Sequence, residues 1–338
     1  MMEYTDLSNV IPVSLAAEPG YDAYTIGCYN GWRRFKRNPL IHTSYGEFSD
    51  PCVIRVGETY YMYVTWCDQY KITCFLSSNG RDWSAPMMDI MTSFSPRVNY
   101  GWEQRVEKPC ALYRNGCFQM WYAAASFEKE PYEPGRTVIA YAHSRDGLLW
   151  ERWNTPVLEP ELLWEGNNVS YPCVLFDEDA GVYRMWYGGG DYEYPQFVGY
   201  AESADGTTWE RKSSRPVFSA DRARFIERDR ITPGQVFRNN GKYYMLYSAY
   251  EHITNARLCL AESVDGLSWT RRQDDPFMTG GRCAWWDSGY VSDAWMLPEE
   301  DGWSLWYTGH RGTARNIGLA FRDGKDLDVS MPRQGVRQ

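Results

Sequence analysis

The sequence predicts an all-β protein built as a five-bladed β-propeller, and three observations indicate this fold. First, a unit made of one short strand, a tight turn and a second strand rich in aromatic residues occurs five times. Second, the reference residues of the five units follow one another at steps of 58, 63, 61 and 61 residues. Third, Gly and Asp turns separate the strands. A fixed period of this size, made of short strands, is typical of a propeller.

The five units share one internal order, in which the first strand contains the reference residue and the second contains the aromatic cluster. The reference residues are Pro51, Pro109, Pro172, Pro233 and Ala294. The strand pairs are predicted at 48–54 and 60–63, 106–112 and 120–122, 169–175 and 185–187, 230–233 and 245–247, and 291–294 and 305–307. Because the repeat runs nearly end to end, we expect one domain over 1–338, with an irregular extension at 1–30 and a tail at 325–338.

Four short turns mark the junction between the third and fourth strands of a blade. Each has Asn-Gly or Asp-Gly followed three residues later by Trp: Asn79-Gly80 with Trp83, Asp146-Gly147 with Trp150, Asp205-Gly206 with Trp209, and Asp265-Gly266 with Trp269. These dipeptides favour hairpin turns because the central residues need positive φ. We expect the tryptophans to pack between blades.

The segment at 32–41 is predicted to close the ring. It matches the ends of later repeats at 150–158, 209–218 and 269–278, yet no repeat precedes it. The fifth repeat, in turn, ends near residue 324 without the expected Trp. We therefore expect the N-terminal strand to pair with blade five, which leaves no long open edge.

Composition limits the choice of partners. The net charge of −9 and the absence of a basic face argue against nucleic acid and against an anionic membrane surface. A neutral or polar small substrate fits this charge better. No apolar run has the length of a membrane span and no leader is visible in the first twenty residues, so the sequence favours a cytoplasmic location.

The cysteines and histidines favour structure over metal chemistry. The chain has nine cysteines without a Cys-x-x-Cys pair, and Cys52, Cys110 and Cys173 occupy the same position in three repeats. Burial as small apolar residues explains this pattern best. The four histidines have no ligand spacing, which argues against zinc. We expect neither a metal site nor a cofactor.

Candidate functional residues lie where the first strands begin, because these strands converge on one mouth of a propeller channel. The positions at or just before the reference residues are Asp50, Glu107 with Lys108, Tyr171, the 229–232 segment and Asp293. Carboxylates from different blades raise one another's pKa in a partly desolvated pocket, as active sites require. Adjacent strand residues point to opposite faces, so Asp50 and Glu107 share one pocket only if the strand start is irregular.

The sequence resembles a known family at these positions. Residues 49–54 followed by 60–63 resemble the first-blade signature of the five-bladed propeller glycoside hydrolases, the arabinanase and xylosidase group of family 43 with its family-32-type invertase and levansucrase relatives. Glu107-Lys108-Pro109 is similar to their Glu-x-Pro element. The resemblance covers about residues 32 to 324. It implies hydrolysis of a glycosidic bond in an oligosaccharide, polysaccharide or other glycoside.

The resemblance implies a role for each carboxylate. Asp50 would be the general base or nucleophile, Glu107 the general acid, and Asp293 the group that orients or tunes them. The family usually places its acid in a later blade, so Glu107, Asp229 and Asp293 all stay open for the acid role. The resemblance also allows a structural calcium ion in the channel.

Several further side chains are predicted to bind the substrate. Aromatic rings that could stack on sugars are Trp102, Tyr171 and Trp285, and polar candidates are Arg105, Asp229, Arg230 and His310. Two alternatives to a hydrolase follow. Arg105, Lys108, Arg230 and His310 could hold phosphate in a glycoside phosphorylase, and the missing later-blade Glu is compatible with a carbohydrate-binding propeller without catalysis.

Overall fold

The computed structural model describes residues 23–41, 43–86, 96–97, 100–126, 135–191, 194–272 and 275–328. Within these ranges the secondary structure consists of twenty β-strands and five single-turn 3-10 helices. The predicted all-β class is therefore confirmed. None of the helices in the described ranges has the length and apolarity needed to cross a membrane.

The strands after β1 (Trp32–Arg34) form five consecutive antiparallel meanders of three long strands, three of which have additional short outer strands. The first is β2 (Phe48–Val56), β3 (Thr59–Trp66) and β4 (Lys71–Ser77), and the second is β5 (Arg105–Arg114), β6 (Cys117–Ala125), β7 (Thr137–Ser144) and β8 (Glu151–Arg152). The third is β9 (Asn168–Asp177), β10 (Val182–Asp191), β11 (Tyr194–Ser203), β12 (Glu210–Arg211) and β13 (Phe218–Ser219). The fourth is β14 (Arg230–Asn239), β15 (Lys242–His252), β16 (Asn255–Ser263) and β17 (Thr270–Arg271), and the fifth is β18 (Tyr290–Pro298), β19 (Gly302–Arg311) and β20 (Ala314–Asp323).

The N-terminal strand β1 lies at the outer edge of the fifth meander. It pairs antiparallel with β20, so that Trp32 lies opposite Arg322 and Arg34 opposite Ala320. The first strands of consecutive meanders contact one another in chain order, and β18 of the fifth contacts β2 of the first. The beginnings of these five strands therefore surround one opening.

Buried aromatic residues join neighbouring meanders. The indoles of Trp121 and Trp186 donate hydrogen bonds of 2.7 Å to the carbonyls of Gly206 and Gly266, in the hairpin turns of the next meander. Trp306 of the fifth meander donates in the same way to Gly80 of the first, at 3.2 Å. The tryptophans that follow these turns pack edge-on against the same indoles, as the sequence predicts for residues between blades. Cys52, Cys110 and Cys173 are also buried, as predicted.

A second repeated feature, which the sequence analysis did not identify, lies between the outer and the first strands. Four fully buried carboxylates precede the first strands of meanders two to five: Glu103, Glu165, Glu227 and Asp287. We call them the rim carboxylates. Each accepts a hydrogen bond from a tyrosine of the second strand, at 2.6 to 3.0 Å: Tyr122, Tyr187, Tyr247 and Tyr307.

An arginine from an outer strand completes each rim site with an ion pair. The arginines are Arg152, Arg211, Arg271 and, from β1, Arg34. Arg34 of β1 therefore pairs with the rim carboxylate of the fifth meander, as the arginines of the short outer strands pair with those of meanders two to four. Because a buried carboxylate is tolerated only when it is paired and hydrogen-bonded, each rim site fixes its outer strand to its own meander.

Candidate active site

The beginnings of the first strands enclose a polar cavity of about 530 Å³. It is lined by most of the residues that the sequence predicts for the site: Asp50, Arg105, Glu107, Tyr171, Arg230, Asp293 and His310. Side chains from all five meanders are thus brought together, although they are spread over about 260 residues of the chain. Such convergence on a concave polar pocket is what a small-molecule site requires.

The structure does not place three of the predicted binding residues in this cavity. Trp102 packs edge-on against Tyr100, with ring centroids 6.1 Å apart. Asp229 accepts a hydrogen bond of 2.7 Å from Arg230, and its side chain is 42% exposed. Trp285 lines a separate groove beside Tyr24. Sugar stacking on these two tryptophans in the cavity is therefore not supported by the geometry.

A β-bulge explains how the carboxylates reach the cavity. In the first meander, the register between β2 and β3 shifts between Ser49 and Cys52. In the fifth meander, the register between β18 and β19 shifts between Ser292 and Ala294. Asp50 and Asp293 lie inside these bulges with φ of 55° and 40°, a left-handed conformation that is uncommon for residues other than glycine. The strand start is thus irregular, and the bulge turns each carboxylate away from the alternation of the strand.

The same bulge in the second meander places Lys108, rather than Glu107, in the position equivalent to Asp50. Lys108 has a φ of 55°, and Tyr171 of the third meander has a φ of 49°. Glu107 is the residue before the bulge, equivalent to Ser49, and still lines the cavity. The same repeat position therefore supplies the carboxyl groups of Asp50 and Asp293, the ammonium group of Lys108 and the phenol of Tyr171 to one pocket.

Hydroxyl groups of neighbouring meanders hold three of the bulges. The backbone N–H of Asp50 donates to Thr308 Oγ1 at 3.2 Å, and that of Asp293 donates to Ser248 Oγ at 3.0 Å. The N–H of Lys108 donates to Thr65 Oγ1 at 2.9 Å. Each bond satisfies a backbone donor that the bulge removes from the sheet ladder. The site is consequently fixed by contacts between meanders.

Asp293 is in the environment of a proton donor. Burial, followed by the negative charge of Asp50, raises the pKa of Asp293 to about 7. Its Oδ2 accepts a hydrogen bond of 2.5 Å from Ser292 Oγ. Its Oδ1 is buried and has no hydrogen-bond partner among the described residues. A carboxylic acid that is partly protonated at neutral pH and lines the cavity can transfer a proton to a substrate.

Glu107 is in the opposite environment. Lys108 Nζ donates to Glu107 Oε1 at 2.7 Å, and Arg105 lies 3.6 Å from the same oxygen. Burial by itself would raise the pKa of Glu107, but these two cations lower it below the ordinary value. Burial opposes the charge of Lys108, yet Glu107 and Asp50 raise the pKa of the lysine. An ionised glutamate held in this way disfavours the acid role that the resemblance implies for Glu107.

The surroundings of His310 favour its neutral form. Burial and the nearby Arg315 lower its pKa to about 3. Its ring stacks on Tyr290 with centroids 3.9 Å apart, and its Nε2 lies 2.9 Å from Ser292 Oγ. The charge that was expected to help His310 hold a phosphate group is therefore absent at neutral pH.

Arg315 is a cavity residue that the sequence analysis did not identify. It is the second residue of β20, lines the cavity and forms no ion pair with a carboxylate among the described residues. Its only hydrogen bond there is a long contact of 3.8 Å to Cys67 Sγ. The signal was available: in an antiparallel meander the third strand begins at the same end as the first, so its first residues also face the mouth.

No group of three or more His, Cys, Asp or Glu side chains is arranged to hold a metal ion in the part of the chain that the structure describes. The rim carboxylates are occupied by arginine and tyrosine, and Glu107 in the cavity is paired with Lys108 and Arg105. A calcium ion in the channel and the expected lack of a cofactor both stay predictions.

Known proteins are similar to this chain in sequence, whereas no family model matches it. An uncharacterized protein of Mycobacterium tuberculosis H37Rv is 28% identical over 194 residues, which are 55% of this chain and 62% of that protein. The match therefore spans less than two thirds of that relative. A 1,2-beta-oligomannan phosphorylase of Thermoanaerobacter sp. strain X514 is 26% identical over 249 residues, 71% of this chain and 76% of the relative.

Solved structures of similar fold include glycoside hydrolases. A thermostable family-43 glycoside hydrolase superimposes with a TM-score of 0.64 at 21% identity, over 89% of this chain and 99% of that one. An exo-1,5-alpha-L-arabinanase from a bovine ruminal metagenomic library gives 0.61 at 18% identity, over 87% and 98%. At these identities the likeness shows the fold. The resemblance to the family-43-type propeller hydrolases is confirmed at that level.

Proposed function

We propose that the five meanders are the blades of one closed propeller and that the protein cleaves a glycosidic bond in its central cavity. Three contacts support closure: β1 pairs with β20, Trp306 bonds to Gly80, and β18 lies beside β2. The observation on which the activity rests is the pair of Asp50 and Asp293. Glycoside hydrolysis usually requires two carboxyl groups, and the raised pKa of Asp293 suits it to donate the proton.

Asp293 would act as the general acid. Its raised pKa keeps much of the carboxyl group protonated at neutral pH, and Oδ1, which has no hydrogen-bond partner among the described residues, would carry the proton that is delivered to the glycosidic oxygen. Asp50 would supply the second carboxylate, which activates a water molecule or attacks the anomeric carbon. This assignment moves the acid role from Glu107 to Asp293. Glu107, held by Lys108 and Arg105, would accept hydrogen bonds from sugar hydroxyl groups.

A second candidate function, phosphorolysis, is supported by the cations of the cavity. The guanidinium of Arg315 forms no ion pair with a carboxylate of the described residues. Arg230 also lines the cavity, with its guanidinium 4.0 Å from the ring centroid of Tyr250. Guanidinium groups bind phosphate through paired, charge-assisted hydrogen bonds. Phosphate would then take the place of water while Asp293 keeps its role. The similarity to an oligomannan phosphorylase supports the same candidate.

One experiment separates these functions. A panel of aryl glycosides and oligosaccharides, including β-1,2-linked mannosides, is incubated with the protein with and without inorganic phosphate. Release of free sugar without phosphate supports hydrolysis, and release of a sugar 1-phosphate supports phosphorolysis. The D293N variant should lose turnover in either case, whereas D301N, which changes an exposed surface carboxylate, should not. Binding of a sugar without any turnover would contradict the proposal in favour of a binding propeller.

A further inference from the structure

We infer that Ser292 and His310 are positioning residues that keep the proton of Asp293 on Oδ1, the oxygen that accepts no hydrogen bond from a described residue. This inference rests on the proposed function, in which Asp293 is the proton donor. His310, Ser292 and Asp293 form a continuous chain: 2.9 Å separates His310 Nε2 from Ser292 Oγ, and 2.5 Å separates Ser292 Oγ from Asp293 Oδ2.

The direction of the hydrogen bonds follows from the number of available protons. Ser292 has one hydroxyl proton, so it can donate to only one of its neighbours, which are His310, Asp293 and the nearby hydroxyl of Tyr250. If neutral His310 carries its proton on Nε2, it donates to Ser292 Oγ, and the serine proton points to Asp293 Oδ2. Oδ2 is then an acceptor, so the acidic proton of Asp293 lies on Oδ1, which has no other partner among the described residues.

The surroundings keep this chain in place. His310 is only 7% exposed, and its ring is held by the stacking contact with Tyr290 at 3.9 Å. The backbone of Asp293 is anchored by Ser248 of the neighbouring meander. Because packing already fixes these hydrogen-bonded side chains, they lose little conformational entropy when the substrate binds.

The first meander contains the matching arrangement with a weaker third member. Ser49 Oγ donates to Asp50 Oδ2 at 2.9 Å and lies 3.4 Å from Cys67 Sγ. Cys67 occupies the position equivalent to His310, two residues after the residue that lies opposite the serine in the second strand. Burial raises the pKa of the Cys67 thiol to about 11, so it stays protonated, and a thiol is only a weak donor. The same Ser-Asp pair is thus supported by imidazole in one meander and by a thiol in another.

The charged and titratable groups that face Asp293 come from several strands. They are Asp50 from β2, Lys108 from β5, Tyr171 from β9, Tyr250 from β15, His310 from β19 and Arg315 from β20. All of them remain when Ser292 alone is truncated. A change in the titration of Asp293 in S292A therefore reports the Ser292 hydrogen bond.

The test is the titration of Asp293 in the intact protein, followed by carbon-13 NMR of labelled aspartate carboxyl groups and assigned by comparison with D293N. We expect S292A to raise the pKa of Asp293 by about one unit or more, the effect of losing one hydrogen bond to a carboxylate. H310L should raise it less, and H310Q should restore it because the glutamine amide can donate from nearly the position of Nε2. The matched control S49A should not raise it.

The direction in which S292A shifts the pKa of Asp293 tests the inference. If S292A lowers the pKa of Asp293 or leaves it unchanged, the serine does not donate to the carboxylate and the inference is wrong. An equal upward shift in S49A would also overturn it, because the effect would then be a general loosening of the cavity. Once a substrate is found, the alkaline limb of the kcat/KM profile should move with the titration. The NMR result stands even without turnover, so its failure is distinct from a failure of the proposed function.

Discussion

The rim carboxylates and the cavity carboxylates use the same chemical group in two opposite environments. Each rim carboxylate is fully buried, has an arginine within ion-pair distance and accepts a tyrosine hydroxyl. At Glu165, burial would raise the pKa, but Arg211 and backbone donors lower it below the ordinary value. Asp50 and Asp293 form no ion pair among the described residues, and the charge of Asp50 helps to raise the pKa of Asp293.

This difference separates stability from reactivity. A carboxylate with its charge neutralised on all sides holds strands together and has no lone pair left for a substrate. A carboxylate beside another one, with an oxygen unpartnered, stores unfavourable electrostatic energy that a reaction can use. We expect substitutions at the rim to change stability and substitutions in the cavity to change turnover.

The largest expected effect is at the rim. Glu227→Gln keeps the shape of the side chain but leaves Arg271, which makes a 2.7 Å ion pair with Glu227, without its countercharge. Breaking a buried pair in this way costs about 3 to 5 kcal/mol of unfolding free energy. Urea denaturation measures the loss, and the turnover of the folded fraction should be unchanged. A variant as stable as the wild type would remove the distinction between the two groups of carboxylates.

The second effect is on catalysis. Asp293→Asn removes the transferable proton, so turnover of substrates with poor leaving groups should fall by about 10²-fold or more. Activated aryl glycosides should lose much less, because their leaving group needs no proton. Unfolding free energy should stay the same or rise slightly, since one of two crowded anions is removed. Steady-state kinetics with both substrate classes and urea denaturation test these outcomes together.

Asp50→Asn changes the other carboxylate of the proposed catalytic pair and can be compared with Asp293→Asn. It should reduce turnover by a similar factor of about 10²-fold or more, but on both classes of substrate, because a base or nucleophile is needed whichever leaving group departs. Kinetics on the same two substrates measure this. Near wild-type turnover in Asp50→Asn would exclude it as the second carboxylate.

A smaller effect is expected for Arg315, which forms no ion pair with a carboxylate among the described residues. If phosphate is the acceptor, Arg315→Leu should raise the KM for phosphate by about 10-fold to 100-fold, the range for one charge-assisted bond. Arg33→Leu is the control, because Arg33 lies on the exposed outer edge and pairs with Asp323. An unchanged KM for phosphate in Arg315→Leu would exclude this arginine from the acceptor site.

The smallest expected effect is the change in kcat/KM of the wild-type protein with pH. Because the pKa of Asp293 is raised to about 7, its acid form is lost as the pH rises through that value. We expect kcat/KM to decline about tenfold per pH unit above it, as for a single essential acid. A profile that is flat between pH 6 and 9 would show that Asp293 does not supply the proton.

The repeat made much of this architecture predictable from sequence. A period near sixty residues located the first strands, and the residues at their beginnings included Asp50 and Asp293. The same period also runs through Glu103, Glu165, Glu227 and Asp287, but these residues were not recognised because their arginine partners lie far away in the chain. Only the pairing of β1 with β20 in the structure shows that Arg34 is the arginine partner of the rim carboxylate Asp287.

The chemistry of the site was less predictable, for physical reasons. The bulge depends on the register between two strands, so sequence spacing alone could not show that Lys108, and not Glu107, is equivalent to Asp50. The pKa of Asp293 depends on burial and on a charge from another meander. The acid role was therefore placed on Glu107, whose neighbours Lys108 and Arg105 make it a poor proton donor.

The pairing of β1 with β20 has a consequence for the order of events during synthesis. Arg33 and Asp323 form an ion pair although they are 290 residues apart in the chain. At the usual 5 to 20 residues per second, the ribosome needs roughly 15 to 60 s to make the strand that receives β1. During that time Trp32 has no partner strand, while the earlier meanders can already fold. Chaperone binding to the nascent N-terminal segment would protect an edge that is otherwise open to aggregation.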